Sequence, residues 1–285
     1  MTNPLWVTKE MKGKRLKLQL VSTLIIFGML LSGCTKNEDY KAAFDDFYYW
    51  DSLEIARIST SVQSSMLEDV LASIELQIEP YSEYLSLEST LDSFSIDYTM
   101  GEGFMFDIPE IIIEIIATPP EDQRDFLIGG IQQLEQGFWQ TSTASVDMVA
   151  GILEGLIEPD YTRFEDLKST TSGDTILVSY TKDGVFIEKK VIGNHVIDIE
   201  TATEYKVVAE SSHELMDGKL LMKHADMSVV QARGSTHTHI DVEYVDVDGV
   251  IFPSQVTFDS RFKVAGNEST ASMGFNFKDI RIERK

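Results

Sequence analysis

The feature that most constrains the fold is a change of hydrophobic period at about residue 170. From there to the C-terminus, apolar residues such as Ile176, Val178 and Tyr180 alternate with polar ones, which is the period of a half-buried strand. Five turn signals separate the strand-like runs: Asp-Gly at 183–184, 217–218 and 248–249, Gly193-Asn194 and Gly266-Asn267. Because Asp-Gly favours tight hairpins, we predict an antiparallel meander of about eight strands over residues 170–285.

The preceding part of the chain has a helical period. Asp51 and Glu54 have the spacing of a capping box, and apolar residues then recur at helical spacing from Ile55 to Ile78, before Pro80. This pattern predicts one long amphipathic helix over 55–78. Residues 81–106 favour no single type of element.

Three further helices are predicted before residue 165. Asp107 and Pro109 introduce an apolar run over 111–117, which predicts a short buried helix. In Thr118-Pro119-Pro120-Glu121, Thr118 is the predicted N-cap of the next helix, followed by early prolines and an N3 glutamate. The last helix is expected from about Ser145 to before Pro159. Their apolar stripes are Leu127, Ile131, Leu134 and Phe138 in the first of these, and Val149, Ile152, Leu153 and Leu156 in the second.

Glycines at 129, 130, 137, 151 and 155 lie inside these predicted helices. Each weakens a helix by about 1 kcal/mol relative to alanine. We expect close approach between helices to compensate for this cost.

Helices followed by a meander indicate the α+β class. The predicted organisation is a signal peptide over 1–33, a tether over 34–43, a helical region over 44–165 and a sheet region over 170–285, the last two packed as one body. A half-barrel covered by helices is one form that such a meander can take. The aromatic residues within 44–50 are expected to pack onto this body, with docking on a lipid interface as the alternative.

The charge of the chain excludes one class of partner. Residues 1–33 carry five Lys or Arg and one Glu, a net charge of +4, so residues 34–285 carry −27 against −23 for the whole chain. Nucleic-acid binding needs clustered basic residues, so we expect no nucleic-acid partner. Anionic headgroups should also repel this acidic body within a Debye length of about 8 Å.

The N-terminal segment has the order of an export signal. A basic stretch that includes Lys12 and Arg15 precedes an apolar run from Leu18 to Leu31, which at 14 residues is shorter than the roughly 20 of a bilayer span. Ser32 and Gly33 then lead to Cys34, the only cysteine in the chain. Met11 directly precedes the basic stretch, and we expect it to be the true start.

Leu31-Ser32-Gly33-Cys34 resembles the lipobox of bacterial lipoprotein precursors. The resemblance implies that Leu31, Ser32 and Gly33 are recognised by the signal peptidase and that Cys34 carries the acyl chains, palmitate among them. The protein would then be anchored to a membrane outside the cytoplasm. Thr35 replaces the aspartate that resembles an inner-membrane retention signal, which favours the outer membrane in a diderm bacterium. In a monoderm, the anchor would lie on the outer face of the plasma membrane.

The segment around residues 236–244 is the one polar constellation with a chemical pattern. In a strand, His237, His239, Asp241 and Glu243 share one face. A return through a two-residue loop at Arg233-Gly234 pairs 226 with 241, 224 with 243 and 228 with 239. His224 and Asp226 then join the histidine face, because a shift of one residue would mix polar and apolar faces.

Two interpretations of this face stay open. His224, Asp226, His237, His239 and Asp241 are ligand types that suit zinc or a similar divalent ion. The alternative is a solvated sheet face with ordinary polar residues. The sequence has no His-Glu-x-x-His, no Gly-x-Ser-x-Gly, no phosphate-binding glycine loop and no Cys-His dyad. We therefore assign no catalytic residue and expect no cofactor.

The C-terminal run 245–258, followed by Gly274-Phe275-Asn276-Phe277, resembles the last hairpins of lipoprotein-carrier half-barrel proteins. That resemblance implies a sheet that shelters acyl chains beneath its helices. Three hypotheses follow: a non-enzymatic lipoprotein that binds a lipid or another envelope component, a metal-dependent enzyme or metal-binding protein that uses the histidine face, and a structural or assembly lipoprotein without a small ligand.

Overall fold

The structure is a computed structural model that describes residues 47–50, 53, 55–89, 93–157, 165–182, 184–232 and 234–285. The described residues contain the helices Ser65–Ile78 (α1) and Glu121–Glu154 (α2) and a short 3-10 turn, Glu79–Tyr81, besides the strands. The strands are β1 Ile55–Ser64, β2 Leu85–Ser89, β3 Ser93–Thr99, β4 Gly103–Asp107, β5 Ile111–Ile115, β6 Glu165–Ser172, β7 Thr175–Lys182, β8 Val185–Ile192, β9 His195–Thr201, β10 Tyr205–Met216, β11 Lys219–Gln231, β12 Gly234–Val247, β13 Val250–Val264 and β14 Asn267–Arg284.

One antiparallel sheet of 12 strands dominates the fold, in the order β4-β3-β1-β14-β13-β12-β11-β10-β9-β8-β7-β6. The C-terminal strands β6 to β14 run as a meander in which each pairs with the next. Strand β1 pairs with β14 at the end of that meander, so the N-terminal strands extend the same sheet. A second sheet contains β2 and β5. The α+β class, with helices in the N-terminal part and a C-terminal meander, is confirmed.

The predicted helix over 55–78 is wrong in its first half. Residues Ile55–Ser64 form a strand that pairs with β3 on one side and with β14 on the other, and the helix begins only at Ser65. Within β1, Ile58, Thr60, Val62 and Ser64 are buried. The hydroxyl residues occupy buried positions that a count of apolar residues misses, so the apolar residues alone fit a helical period.

The short helix predicted over 111–117 is also wrong. Ile111–Ile115 form strand β5, which pairs with β2 and buries Ile111 and Ile113 on one side. A run of β-branched residues of this length suits a strand as well as a buried helix, and apolar content alone does not distinguish the two.

A single helix, α2, replaces the two that were predicted between residues 118 and 159. It begins at Glu121 as expected, but Pro120 occupies the N-cap position, so the predicted cap by Thr118 is not made. The helix continues through the polar segment 141–143, where the three hydroxyls hydrogen-bond to backbone oxygens four residues earlier, at 2.9–3.0 Å. The predicted stripes are confirmed, since Leu127, Phe138, Val149, Ile152, Leu153 and Leu156 are buried, and Ile131 and Leu134 pack against them.

The expected close approach at the helix glycines is wrong for three of them. A Cβ added at Gly129, Gly130 or Gly137 would meet no atom within 4 Å. These glycines therefore weaken α2 without a packing gain at their own positions.

Two Asp-Gly turns of the meander agree with the sequence signals, whereas the turn predicted at Gly266-Asn267 lies one residue earlier, at Ala265-Gly266, because Val264 pairs with Asn267. Asp217 and Gly218 both have positive φ, at 49° and 81°, and Asp248 and Gly249 repeat the pattern at 54° and 79°. Positive φ at both central residues is the type I′ geometry that Asp-Gly favours. The described sheet contains nine strands after residue 164, one more than the eight predicted.

The aromatic residues at 47–50 pack onto the sheet, as expected, while residues 44–46 lie outside the described part. Trp50 is fully buried and stacks on Phe252 with ring centroids 5.2 Å apart. Its Nε1–H donates to the carbonyl of Ile251 at 3.2 Å, and Tyr48 Oη accepts from the Ile251 N–H at 2.7 Å. Phe47 joins a second core cluster with residues of β7 to β9. These contacts hold residues 47–50 against the sheet.

Candidate metal centre

The histidine face lies where β11 and β12 pair. His224 is opposite Asp241, Asp226 is opposite His239, and Ser228 is opposite His237. The predicted face is correct, but the predicted pairs 226 with 241, 224 with 243 and 228 with 239 are wrong by two residues. Gln231 pairs with Gly234, so Gly234 belongs to the strand and not to the predicted loop. A register shift of two residues keeps every side chain on its own face of the sheet, so the predicted face is correct although the predicted pairs are not.

Gly234 explains why the loop was misplaced. This residue begins β12 rather than forming the turn, and a Cβ there would lie 2.3 Å from the backbone oxygen of Lys263 on β13. The glycine is required for close approach of the two strands. The sequence pattern attributed it to turn geometry.

Three of the predicted ligands converge at one point on this face. His224, His239 and Asp241 each offer a ligand atom, and these atoms all lie within 4.8 Å of one another. The carboxylate of Asp241 contacts both imidazoles: Oδ1 lies against His224 Nδ1, and Oδ2 is 3.2 Å from His239 Nε2. The two imidazole rings are nearly parallel, 14° apart, with centroids separated by 6.3 Å. One carboxylate thus lies between two imidazoles.

Asp226 orients the central histidine from its other side. Its Oδ1 is 2.9 Å from His239 Nδ1, while Nε2 faces Asp241. When a metal ion binds Nε2, the remaining ring proton is on Nδ1 and is donated to Asp226. Metal-binding histidines in proteins are commonly held in this way by a carboxylate on the second nitrogen. The same hydrogen bond to Asp226 is the main reason that the pKa of His239 is raised.

His237 is on the predicted face but outside the group of three. Its Nδ1 is 3.0 Å from Ser228 Oγ, and its Nε2 is 3.7 Å from Asp226 Oδ1. Of the five predicted candidates, the structure therefore brings three together, places Asp226 behind one of them and leaves His237 to the side. Glu243 pairs with Gln255 and is not a member of the group.

Two strands that the sequence did not connect to this face extend it. Ser212 on β10 pairs with His224 on one side and with His195 of β9 on the other, and Glu210 pairs with Asp226. The Asp-Gly turn at 217–218 predicts a different register, with 211 opposite 224. A β-bulge next to Ser212 shifts the pairing by one residue and brings Glu210 and Ser212 to the histidine face.

A cleft of about 440 Å³ adjoins the group of three. His224 and Asp226 line it together with His195, Glu210 and Ser212, and Ile197 adds an apolar wall. The side chains of His224, His239 and Asp241 are 48%, 40% and 42% exposed, so the group is open to solvent.

The residues of the predicted anchor, Leu31, Ser32, Gly33 and Cys34, lie outside the described residues. In the part of the chain that the structure does describe, no helix is both long and apolar enough to cross a membrane. Comparisons with protein-family models, with curated proteins and with solved structures gave no match.

Proposed function

We propose that this protein is a lipid-anchored, extracytoplasmic protein that binds a divalent transition-metal ion through His224, His239 and Asp241. The observation that carries the metal-binding part is the convergence of these three side chains within 4.8 Å, with Asp226 holding the second nitrogen of His239. The anchor part rests on the sequence around Cys34.

The donor set favours a particular class of ion. Two imidazoles and one carboxylate suit Zn²⁺, Cu²⁺ or Ni²⁺, whereas Ca²⁺ and Mg²⁺ prefer all-oxygen sites. An ion between the three side chains replaces the direct contacts of Asp241 with both imidazoles. Metal–ligand bonds of about 2.0–2.2 Å then hold the carboxylate and the two rings in the same arrangement.

The exposure of the site favours reversible binding over a structural role. Structural zinc sites have four protein ligands and are closed to solvent. Here three ligands are each at least 40% exposed, and the core clusters of the protein lie on the other face of the sheet. We therefore infer capture or delivery of an ion, and we assign no catalytic step to the site.

The cavity between the aromatic segment and the sheet does not support the lipid-binding hypothesis. A cavity bordered by Phe47, His213 and Tyr244, where the aromatic segment meets the sheet, has a volume of about 20 Å³. That volume is of the order of one water molecule and does not admit an acyl chain.

The metal site is tested by isothermal titration calorimetry with Zn²⁺, Ni²⁺ and Cu²⁺ on residues 35–285, with His237→Ala as the matched control. We expect one ion per chain, at least tenfold weaker binding in the His224→Ala/His239→Ala variant, and little change in the control. A wild-type protein that retains no ion, or a double variant that binds as well as wild type, would overturn the proposal in favour of a lipoprotein without this ligand.

The anchor is tested separately in cells by labelling with a palmitate analogue and by membrane fractionation. We expect label on the wild-type chain and neither label nor normal processing for Cys34→Ala. Labelling and membrane attachment of the Cys34→Ala chain as strong as in wild type would contradict the anchor and leave the metal site untouched.

A further inference from the structure

The cleft beside the metal centre has a chemistry of its own. Its described lining includes two carboxylates, Glu210 and Asp226, an imidazole from His195 and a hydroxyl from Ser212, but no lysine or arginine. Such a lining accepts hydrogen bonds and positive charge and disfavours anions. Its volume of about 440 Å³ lies within the range of small-molecule sites.

The metal centre and the cleft share residues, so a single ligand can reach both. His224 belongs to the group of three and also lines the cleft, and Asp226 holds His239 from the cleft side. Three protein donors leave at least one position of a four-coordinate ion free. Because His224 belongs both to the group of three and to the cleft lining, a ligand on the bound ion has the cleft within its reach.

We propose, resting on the metal binding above, that the cleft is a subsite for an amine-bearing ligand that coordinates the bound ion. One neutral amine of the ligand occupies the free position of the ion and releases its proton to solvent. A second, protonated amine lies against Glu210 and Asp226. The natural cargo of the site is then an ion together with a small amine chelator, rather than a bare ion.

The register sets the distance that such a ligand must span. Glu210 on β10 pairs with Asp226 on β11, which pairs with His239 on β12, so Glu210 and His239 are two strand spacings apart, roughly 10 Å. An ion held between β11 and β12 is closer than this to Glu210, at about 8 Å by the same spacing. A diamine with about three to six methylene groups bridges that gap, whereas a monoamine reaches only one end.

The test uses the metal-loaded protein, with retention of the ion confirmed by elemental analysis. Linear diamines of about three to six methylene groups and propylamine are titrated by calorimetry into wild type, Glu210→Gln and the control Glu214→Gln, which changes an exposed carboxylate on the same strand outside the cleft lining. We expect the best diamine to bind at least tenfold more tightly than propylamine in wild type and in the control. In Glu210→Gln and in metal-free protein, that advantage should fall below about threefold.

The outcomes separate this inference from the metal site. If the ion binds but no diamine exceeds propylamine, or if Glu210→Gln keeps the full advantage, the inference is wrong and the metal site stands. If diamines bind equally well with and without the ion, the cleft binds amines independently of the metal, which also overturns the inference. A protein that retains no ion contradicts the metal site itself.

Discussion

His239 is held by Asp226 on the side away from the metal position, with 2.9 Å between Nδ1 and Oδ1, while its Nε2 lies 3.2 Å from Asp241. The two carboxylates thus act on opposite nitrogens of one ring. The hydrogen bond to Asp226 is the main reason that the pKa of the ring is raised. These two contacts fix the orientation of the His239 ring, as expected for a metal ligand and unlike a solvent-exposed histidine without partners.

The first prediction concerns Asp226→Asn. Asparagine can still accept the Nδ1–H of His239, but it removes the negative charge that makes the imidazole more basic. We expect about tenfold weaker metal binding, since second-shell changes commonly weaken metal affinity by 10–100-fold. In metal-free protein, the NMR titration of His239 should move to lower pH. Asp259→Asn, which changes the residue opposite His239 on β13, is the control and should leave both readouts near wild type. Equal metal affinities in the two variants would show that Asp226 does not support the site.

The second prediction concerns His213, whose imidazole is buried against Phe47. The ring centroids are 4.8 Å apart, and Nε2 has no hydrogen-bond partner among the described residues. Burial lowers the pKa of His213 to about 4, so the folded state resists protonation while the unfolded chain takes up a proton near pH 6.5. The contribution of His213 to stability is therefore complete above pH 6.5 and falls as the pH drops toward 4, by about 3 kcal/mol.

His213→Phe removes this titration and keeps an aromatic ring beside Phe47. The cavity of about 20 Å³ next to His213 gives room for the larger side chain. Urea unfolding between pH 4 and 7 should show that the variant gains stability relative to wild type as the pH falls. The exposed His237→Phe serves as control and should track wild type. A constant difference between His213→Phe and wild type over this pH range would contradict the depressed pKa.

Part of the candidate site could be predicted from the sequence alone. Alternation in 236–244 predicted the histidine face because polar and apolar side chains separate cleanly there. The sequence did not predict the partner pairs, because Gly234 resembles a turn residue although it serves a close approach to Lys263. The sequence also did not predict the cleft. The cleft depends on a β-bulge beside Ser212, and no residue type in this strand indicates a bulge.

The error in β1 has a related cause. Thr60 and Ser64 are buried there, and a hydrogen bond satisfies Thr60 because its hydroxyl donates to the carbonyl of Lys278 at 2.8 Å. That partner lies 218 residues away in the sequence. A periodicity measured within one segment does not contain this distant partner. The buried hydroxyl residues of β1 therefore resemble polar positions of a helix.

The third prediction concerns the buried ion pair of Lys189 on β8 and Asp198 on β9. Lys189 Nζ is 3.0 Å from Asp198 Oδ2, and both residues are buried. Burial raises the pKa of Asp198 to about 6, against the opposing effect of Lys189. Removing the lysine leaves a buried carboxylate without its counter-charge, and breaking such pairs commonly costs about 3–5 kcal/mol.

We therefore expect Lys189→Met to lower the unfolding free energy by several kcal/mol at pH 8, and by less at pH 5, where Asp198 is protonated in the folded state. The double variant Lys189→Met/Asp198→Leu should be more stable at pH 8 than Lys189→Met alone. Denaturant unfolding of Lys189→Met, Asp198→Leu and the double variant measures the coupling free energy between the two side chains. Additive effects would show that the two side chains do not stabilise each other.

The last prediction compares two glycines that face no neighbouring atom. A Cβ at Gly137 in α2 or at Gly218 in the β10–β11 turn would meet nothing within 4 Å, so packing does not distinguish them. Gly137 lies inside a helix, where alanine is favoured by about 1 kcal/mol. Gly218 has φ of 81°, a conformation that costs an L-residue roughly 1–2 kcal/mol. Gly137→Ala should therefore raise the midpoint of thermal unfolding and Gly218→Ala should lower it, both without change in metal affinity. Shifts of the same sign would mean that backbone conformation does not control stability at these positions.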